Sequence, residues 1–353
     1  MAEHTFTIPH TLRLESGETL HRPEVVYHTY GNLSPAKDNV VWICHALTAN
    51  ADAADWWSGL VGPGKFIDPE KYFIVCANIL GSCYGTTGPL SINPETAKPY
   101  YHTFPLVTVK DMVAAHVLLR QHLGIGRIHL GIAGSLGGHQ LLEWLVREPG
   151  VFAQAAVIAT SARHSPWGIA FNESQRFAIE QDPTWAQSNP AAGLNGLKVA
   201  RAIAMLSYRS YDTYHLAQLD TSDKIDGYRA SSYQRYQGEK LAKRFNAYSY
   251  YTLSKAMDSH DISRGRGGEV AEVLQTITTP ILAVSITSDL LFPPHEQEFI
   301  AKQVPNGTHR SITSIYGHDG FLLEFEALSG LLEEFVTKYQ DVPIYEVRGT
   351  KYD

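Results

Sequence analysis

The sequence predicts an α/β fold in which a mostly parallel, doubly wound sheet carries a helical insertion. Residues 40–47 and 72–78 are continuous apolar runs, which are typical of strands covered on both faces. Residues 107–123 have the apolar spacing of a helix, and a further apolar run follows at 127–132. Strands that alternate with helices in this way are joined by crossovers, and crossovers produce a parallel sheet.

The middle of the chain has a different composition. Residues 166–279 contain few strand signals and many helix formers and tyrosines, so we interpret them as a helical lid inserted into the core. The core domain is accordingly predicted over residues 1–165 and 280–353. Three more strands are predicted in it, at residues 24–31, 155–160 and 281–286.

Composition and charge exclude several classes of protein. The 353-residue chain is 44% hydrophobic and 18% charged, as is ordinary for a globular protein, and its formal net charge of -7 argues against a nucleic-acid partner. No apolar stretch approaches the ~20 residues of a membrane span, and the N-terminus lacks the pattern of a secretory signal. Cys44, Cys76 and Cys83 have neither metal-site spacing nor an even count for disulfides, so we expect a cytoplasmic protein without a metal.

The most informative stretch is Ala-Gly-Ser-Leu-Gly-Gly at residues 133–138. It lies between the apolar run at 127–132 and a segment, 139–146, with the apolar spacing of a helix. A serine between small residues at a strand-to-helix turn is typical of a nucleophile elbow, in which a strained serine is exposed beside backbone N–H groups. This context favours Ser135 as a nucleophile over a chance match to a short motif.

A serine nucleophile needs a base, which is usually a histidine oriented by a carboxylate. In the α/β-hydrolase fold these partners follow the serine in the order acid, then histidine, near the ends of later strands. Asp289 follows the predicted strand at 281–286, and His318 follows a predicted strand at 309–316. Because all three occur in the expected order, we predict a triad of Ser135, Asp289 and His318, although Asp289 alone could cap a turn.

The negative charge of a tetrahedral intermediate requires two hydrogen-bond donors. One should be the backbone N–H of Leu136, directly after the serine. The other should come from the loop after an early strand, where Leu47 is the candidate. Each such donor is worth about 3 kcal/mol of the barrier.

Several motifs surround these residues, and one of them lies in the predicted lid. They are Cys-His-Ala-Leu-Thr at 44–48, Asn-Ile-Leu-Gly-Ser-Cys-Tyr-Gly-Thr-Thr-Gly-Pro at 78–89, Phe-Pro-Leu-Val-Thr-Val-Lys-Asp-Met at 104–112, Tyr-Arg-Ser at 208–210, Asp-Leu-Leu-Phe-Pro at 289–293 and Tyr-Gly-His-Asp-Gly-Phe-Leu at 316–322. Together they resemble the homoserine O-acyltransferases of the α/β-hydrolase superfamily, over nearly the whole chain.

This resemblance implies a fold, a reaction and further site residues. The implied fold is that of an α/β-hydrolase. The implied reaction moves an acetyl group from acetyl-CoA to the side-chain hydroxyl of L-homoserine by a ping-pong route, in methionine biosynthesis. No cofactor is implied, because acetyl-CoA is a cosubstrate. Arg209 would bind the homoserine carboxylate, Asp319 would bind its ammonium group, and the family's dimers imply a homodimer.

Each of the two substrate-binding assignments has a simpler alternative. Arg209 could form only a salt bridge within the lid. Asp319 could serve as the N-cap of a helix that begins near Phe321.

The chain departs from the family pattern at four positions. Ala133, Leu136 and His139 replace a glycine and two methionines of the family's elbow, and Ala49 replaces a glycine after Leu-Thr. Relatives with this architecture use succinyl-CoA, and some use serine, so succinyl-CoA is an alternative donor and serine an alternative acceptor. His139 is polar and near the expected acyl pocket, which leaves the choice of acyl donor open. The same triad would also serve an esterase, and an inactive binding protein on this fold is an alternative of another class.

Overall fold

A computed structural model describes residues 1–339 of the chain. Its centre is an eight-stranded sheet. The strands of this sheet are β1 (Ala2–Thr7), β4 (Glu24–Tyr30), β5 (Val40–Cys44), β6 (Phe73–Ala77), β9 (Ile128–Gly134), β10 (Phe152–Ile158), β11 (Ile281–Ile286) and β12 (Gly307–Ile312). Two short antiparallel pairs lie outside it, namely β2 (Leu12–Arg13) with β3 (Thr19–Leu20), and β7 (Ile92–Asn93) with β8 (Lys98–Pro99).

The strand order is β1-β4-β6-β5-β9-β10-β11-β12. The pairs from β6 to β12 are parallel, whereas β1 and β4 join the edge in antiparallel orientation. The carboxyl ends of the parallel strands therefore meet at one edge of the sheet, which is where ligands bind in open α/β sheets. The prediction of a mostly parallel α/β fold is confirmed.

The central strands are buried because helices cover both faces of the sheet. Every residue of β5 and of β11 is buried, which is why both read as continuous apolar runs rather than as alternating ones. The first strand, β1, was not predicted from the sequence. Four of its six residues are exposed, so it lacks the apolar pattern by which strands are recognised.

The described residues form eleven α-helices and two 3₁₀ segments. The α-helices are α1 (Ala53–Trp56), α2 (Val109–His122), α3 (Leu136–Arg147), α4 (Pro166–Glu180), α5 (Leu194–Tyr208), α6 (Tyr211–Gln218), α7 (Arg229–Ala242), α8 (Ala247–Asp258), α9 (Val270–Gln275), α10 (Pro294–Gln303) and α11 (Phe325–Lys338). The 3₁₀ segments are Tyr101–Thr103 and Gly317–Leu322. None of the helices described is long and apolar enough to cross a membrane.

Six of these helices, α4 to α9, occupy the long connection between β10 and β11. N-cap side chains, directly before the first helical residue, explain where two of these helices start. The Ser165 hydroxyl accepts a hydrogen bond from the Gly168 amide at the start of α4, and the Asn246 side chain accepts one from the Ser249 amide at the start of α8. The connection that the sequence marks as helical is thus helical in the structure.

Several predicted strand boundaries need correction. The strand predicted over residues 40–47 ends at Cys44, and the strand predicted over residues 155–160 is Phe152–Ile158. The strand predicted to reach residue 316 ends at Ile312, and a loop precedes the 3₁₀ segment Gly317–Leu322. The sheet partner β11 ends at Ile286, which pairs with Ile312, so residues 313–316 have no strand to pair with. Residues 340–353 of the predicted core lie outside the described residues.

Candidate active site

Ser135 sits in a sharp turn between β9 and α3. Its backbone has φ 56 and ψ -127, a positive φ that is unusual for a residue with a side chain. The backbone is held there by neighbouring groups, because the Ser135 amide donates to the Ile158 carbonyl (3.0 Å) and the Thr160 hydroxyl donates to the Ser135 carbonyl (2.8 Å). This strained turn is the arrangement expected of a nucleophile elbow.

The small residues around Ser135 are required by close packing. A Cβ atom at Gly134 would lie 2.6 Å from the Phe321 ring, and one at Gly138 would lie 2.5 Å from the Thr160 side chain. A Cβ at Gly137 would overlap the Cys44 carbonyl oxygen. Gly137 therefore allows α3 to approach the end of β5 closely, whereas Gly134 and Gly138 leave room for Phe321 and Thr160.

His318 lies between Ser135 and Asp289. Its Nε2 atom is 2.9 Å from Ser135 Oγ, and its Nδ1 atom is 2.7 Å from Asp289 Oδ2. The second carboxylate oxygen, Asp289 Oδ1, accepts hydrogen bonds from the amides of Leu291 (2.8 Å) and Phe292 (2.9 Å). The carboxylate is therefore fixed in orientation, and the structure brings the three predicted triad side chains into one hydrogen-bonded chain.

The electrostatic environment makes the His318 imidazole more basic than usual. Burial alone would lower the pKa of His318, but the negative charge of Asp289 and the hydrogen bond to it outweigh burial and raise that pKa. A base of this kind can take a proton from Ser135, and the imidazolium that forms is stabilised by Asp289.

The two predicted oxyanion donors lie on segments in contact. The Gln140 side chain on α3 donates to the carbonyl of His45 (3.1 Å), which fixes the loop containing Leu47 against the helix that starts at Leu136. Within residues 1–339, neither the Leu47 amide nor the Leu136 amide donates a hydrogen bond to another group. Both remain available for a ligand oxygen, as an oxyanion hole requires.

Arg209 and Asp319 meet each other beside the triad. Arg209 Nε lies 3.0 Å from Asp319 Oδ2, which is an ion-pair distance, although its N–H is not aligned for a hydrogen bond. The side chains are only 21% and 15% exposed, so solvent screens this pair less than a surface pair. Burial raises the pKa of Asp319, and the positive charges of Arg209 and Arg201 partly offset that effect.

Asp319 is not an N-cap, contrary to one of its two interpretations. The following helix, α11, begins at Phe325 rather than near Phe321, and Asp319 lies inside the preceding 3₁₀ segment. Arg209 does form a salt bridge, as its simpler interpretation predicted. Its partner, however, is Asp319 rather than another residue of the lid.

Two residues of α5 lie beside this site although the sequence analysis gives them no role of their own. The guanidinium carbon of Arg201 lies 5.2 Å from the centre of the Tyr208 ring, and that ring lies 5.8 Å from the His318 ring. Residues 201 and 208 are seven apart on one helix, so they share a face. The available signal was the seven-residue spacing between Arg201 and Tyr208, the first residue of the Tyr-Arg-Ser motif.

Three buried histidines form a second cluster behind the triad. His139 stacks on His260 with ring centres 4.0 Å apart and an interplanar angle of 14°. Phe292 separates this cluster from the triad, since its ring is 5.5 Å from His139, 5.7 Å from His164 and 5.3 Å from His318. The sequence analysis expects His139 near the acyl pocket, and in the structure its side chain is fully buried behind Phe292.

Burial keeps these histidines neutral. It lowers the pKa of His164 to about 4 and of His260 to about 3, and it lowers the pKa of His139 well below its usual value, with the neighbouring imidazoles contributing. Within residues 1–339, no group of three or more His, Cys, Asp or Glu side chains is arranged to hold a metal ion.

Comparisons with known proteins agree with this geometry. The family described as the alpha/beta hydrolase fold matches residues 39–325. A homoserine O-acetyltransferase of Cyclobacterium marinum is 51% identical over 335 residues, which cover 95% of each chain. Among solved structures, a homoserine O-acetyltransferase from Bacillus anthracis (TM-score 0.89, 24% identity, 98% of each chain) and esterase E22 (TM-score 0.86, 23% identity, 95% of this chain and 99% of the other) share the fold. The chain therefore belongs to the homoserine O-acetyltransferase family within the alpha/beta hydrolases.

Proposed function

We propose that this protein transfers an acetyl group from acetyl-CoA to the hydroxyl of L-homoserine, with Ser135 as the nucleophile. The observation that carries the proposal is the hydrogen-bonded chain from Ser135 through His318 to Asp289 at a strained elbow. The 51% identity to a protein named homoserine O-acetyltransferase supports the choice of acetyl and homoserine, and with it a role in methionine biosynthesis.

The first half-reaction forms an acetyl-enzyme. His318 Nε2 takes the proton of Ser135 as Oγ attacks the thioester carbonyl carbon. The amides of Leu47 and Leu136 donate to the oxyanion of the tetrahedral intermediate. The carbon–sulfur bond then breaks, His318 returns the proton to the departing thiolate, and CoA leaves.

The second half-reaction repeats this chemistry with a different nucleophile. His318 takes the proton of the homoserine hydroxyl, whose oxygen attacks the acetyl carbonyl carbon. The bond to Ser135 Oγ breaks, the serine regains its proton from His318, and the ester product leaves. We assign Arg209 to the homoserine carboxylate and Asp319 to its ammonium group, because the two side chains already lie together beside the triad.

Helices α4 to α9, within residues 166–279, are proposed to act as the lid that keeps water from the acetyl-enzyme. Two contacts support this role. The Trp167 indole of α4 donates to the Leu290 carbonyl (2.8 Å) beside Asp289, and the Tyr208 ring of α5 lies beside His318. Exclusion of water from a covered site favours transfer over hydrolysis.

The test supplies acetyl-CoA with and without L-homoserine and measures both CoA release and O-acetylhomoserine. With acetyl-CoA alone, we expect only a small burst of CoA from acetyl-enzyme formation. Continued rapid release of CoA should require homoserine. The Ser135→Ala variant should show neither burst nor turnover, whereas Ser329→Ala on α11 should behave as the parent. Near-normal turnover by Ser135→Ala would remove Ser135 from the mechanism.

Further acyl donors and acceptors distinguish the alternatives. Succinyl-CoA and L-serine are tested in parallel, and we expect acetyl-CoA with homoserine to give the highest kcat/KM. CoA release that ignores homoserine would instead identify an esterase, the class to which one solved structure of this fold belongs. Failure of Ser135 to react with a fluorophosphonate would support an inactive scaffold.

We also propose that the protein is a cytoplasmic homodimer. The outer surface of the lid carries exposed apolar side chains, including Leu206 on α5 (56% exposed), Tyr211 and Leu216 on α6 (80% and 70%) and Tyr236 on α7 (58%). Exposed apolar side chains are typical of a protein interface where they form a contiguous patch. Light scattering should give twice the monomer mass, and Leu216→Glu should shift the measured mass toward that of the monomer.

The free thiols of Cys44, Cys76 and Cys83 agree with a reducing compartment such as the cytoplasm.

A further inference from the structure

Arg244, between α7 and α8, joins the helical insertion to the loop that carries Leu47. Its Nη1 atom lies 2.5 Å from the Thr48 carbonyl oxygen and 2.5 Å from the Tyr84 hydroxyl, and it donates to both. The backbone of Arg244 is tied to the same region, because the Cys83 thiol donates to its carbonyl (3.7 Å). Arg244 and Thr48 are 196 residues apart in the chain, so this link exists only while the insertion rests on the core.

The Leu47 amide, a proposed oxyanion donor, belongs to a tight turn. The Ala49 amide donates to the Ala46 carbonyl (3.1 Å), so Leu47 and Thr48 are the two central residues of this turn. The Thr48 carbonyl and the Ala49 amide share one planar trans peptide group and point in opposite directions. By holding the Thr48 carbonyl, Arg244 therefore also aims the Ala49 amide at Ala46 and keeps the turn closed.

The second acceptor of Arg244 is fixed to the same loop. The Asn78 side-chain amide donates to the Tyr84 carbonyl (2.8 Å), and its oxygen accepts a hydrogen bond from the Ala51 amide (2.8 Å). A chain of contacts thus runs from Thr48 through Arg244, Tyr84 and Asn78 and returns to the loop at Ala51. Because both ends of this chain lie on one loop, the guanidinium has a defined position from which to orient the turn.

We infer that Arg244 is a positioning residue that aims the Leu47 amide at the oxyanion, so that the oxyanion hole is complete only while the insertion is seated on the core. The inference rests on the proposed function and deepens it. Both half-reactions pass through a tetrahedral intermediate, so both should depend on Arg244, whereas the binding of either substrate should not. Arg244 is exposed, and an exposed side chain leaves no cavity when it is shortened, so its variants should fold as the parent does.

The first measurement compares the rates of Arg244→Gln and the parent. We expect the rate constant of the CoA burst and kcat each to fall by about 10- to 100-fold, because a donor that is displaced costs less than a donor that is removed. Arg244→Lys can still donate to the Thr48 carbonyl and should recover part of the loss. Urea unfolding should give the same midpoint for all three proteins.

Two ketone analogues of acetyl-CoA supply a readout that a merely structural role would not change. With S-trifluoroacetonyl-CoA, Ser135 Oγ bonds to the carbonyl carbon, the serine proton passes to His318, and the carbonyl oxygen becomes an anion in the oxyanion hole. S-Acetonyl-CoA lacks the fluorine atoms and binds as the unreacted ketone. Arg244→Gln should weaken binding of the fluorinated ketone by about 10- to 100-fold, in parallel with kcat, and leave binding of S-acetonyl-CoA unchanged.

The matched control is Lys243→Gln, which removes an exposed cation directly before Arg244 and should behave as the parent in every assay. Equal weakening of both ketones would assign Arg244 to the binding of CoA, and unchanged rates in Arg244→Gln would show that the turn holds itself. Either result overturns the inference.

A simple ester separates this inference from the proposed function. Hydrolysis of p-nitrophenyl acetate needs the triad and the oxyanion hole, but neither CoA nor homoserine. If the parent does not acetylate homoserine, the proposed function fails, and the loss of ester hydrolysis in Arg244→Gln still decides the inference. A parent that is inactive toward both substrates overturns both.

Discussion

Gly317, directly before His318, offers a sharp test of how the proposed base is positioned. Its φ is +65, and a Cβ atom there would lie 2.8 Å from the Arg209 carbonyl carbon, 2.9 Å from the Ser210 amide nitrogen and 3.0 Å from the Tyr208 carbonyl oxygen. All three neighbours are backbone atoms at the end of α5, so they cannot rotate away. Gly317→Ala therefore introduces both conformational strain and a steric clash next to His318.

The size of the effect follows from these distances. Ordinary contact begins near 3.4 Å, so the loop must move by about 0.6 Å, and the 2.9 Å hydrogen bond between His318 and Ser135 would lengthen to about 3.5 Å if the movement is along it. A hydrogen bond of that length is largely lost. Since displacement of a catalytic group by about 1 Å costs about 100-fold in rate, we expect kcat/KM for acetyl-CoA to fall by about 10- to 100-fold.

The matched control is Gly267→Ala. Gly267 also has a positive φ, +73, but no atom lies within 4 Å of the added Cβ. Backbone strain should cost both variants about 1–2 kcal/mol of stability, measured by urea unfolding, and the clash should cost Gly317→Ala more. Only Gly317→Ala should lose activity and react slowly with a fluorophosphonate. Parent-like activity in Gly317→Ala would refute the claim that α5 holds the His318 loop in register with Ser135.

Three further predictions concern charge in and behind the triad. Asp289→Asn should reduce kcat by about 10,000-fold, because the His318 imidazole loses both its orientation and the stabilisation of its cation. A stopped-flow burst of CoA that keeps more than a tenth of the parent rate would contradict this. Because the pKa of His318 is raised, the proposed base becomes protonated as the pH falls through a value above the usual 6.5, so kcat/KM for acetyl-CoA should fall there; a midpoint at or below 6.5 would contradict the proposed electrostatics. The pKa values of His139 and His260 are lowered in the folded protein, so below about pH 6.5 the unfolded chain binds protons that the folded chain does not. Each of these histidines therefore lowers the unfolding free energy by about 1.4 kcal/mol for each further pH unit. His139→Met should flatten this acid dependence in urea titrations between pH 7 and pH 5, and an unchanged slope would show that His139 is not buried as a neutral group.

The sequence was sufficient for those parts of the fold and site that depend on local pattern. The buried strand β11 was predicted with its observed bounds because both of its faces are covered, which leaves a continuous apolar run. Ser135, Asp289 and His318 could be predicted because strand order and turn chemistry restrict where such residues can occur. The structure brings all three within hydrogen-bond distance.

Other features depend on how distant elements pack, and they could not be predicted. The stack of His139 on His260 joins α3 to the segment after α8, more than a hundred residues away in the chain. The pairing of Arg209 with Asp319 also requires the end of α5 to meet the loop after β12. Asp319 was compatible with an N-cap because short polar residues precede many helices, and only the observed start of α11 at Phe325 excludes it.

The helical insertion is attached to the loops on both sides of the triad. Trp167 donates to the Leu290 carbonyl beside Asp289, and Ser210 donates to the Ile315 carbonyl just before His318. If the insertion swung outward as a hinged cover, it would pull the acid and the base away from the serine on every cycle. We therefore expect the insertion to stay closed during turnover, so that the acyl end of CoA reaches Ser135 without an outward movement of the insertion. A covalent cross-link between α4 and the core domain should then leave the enzyme active.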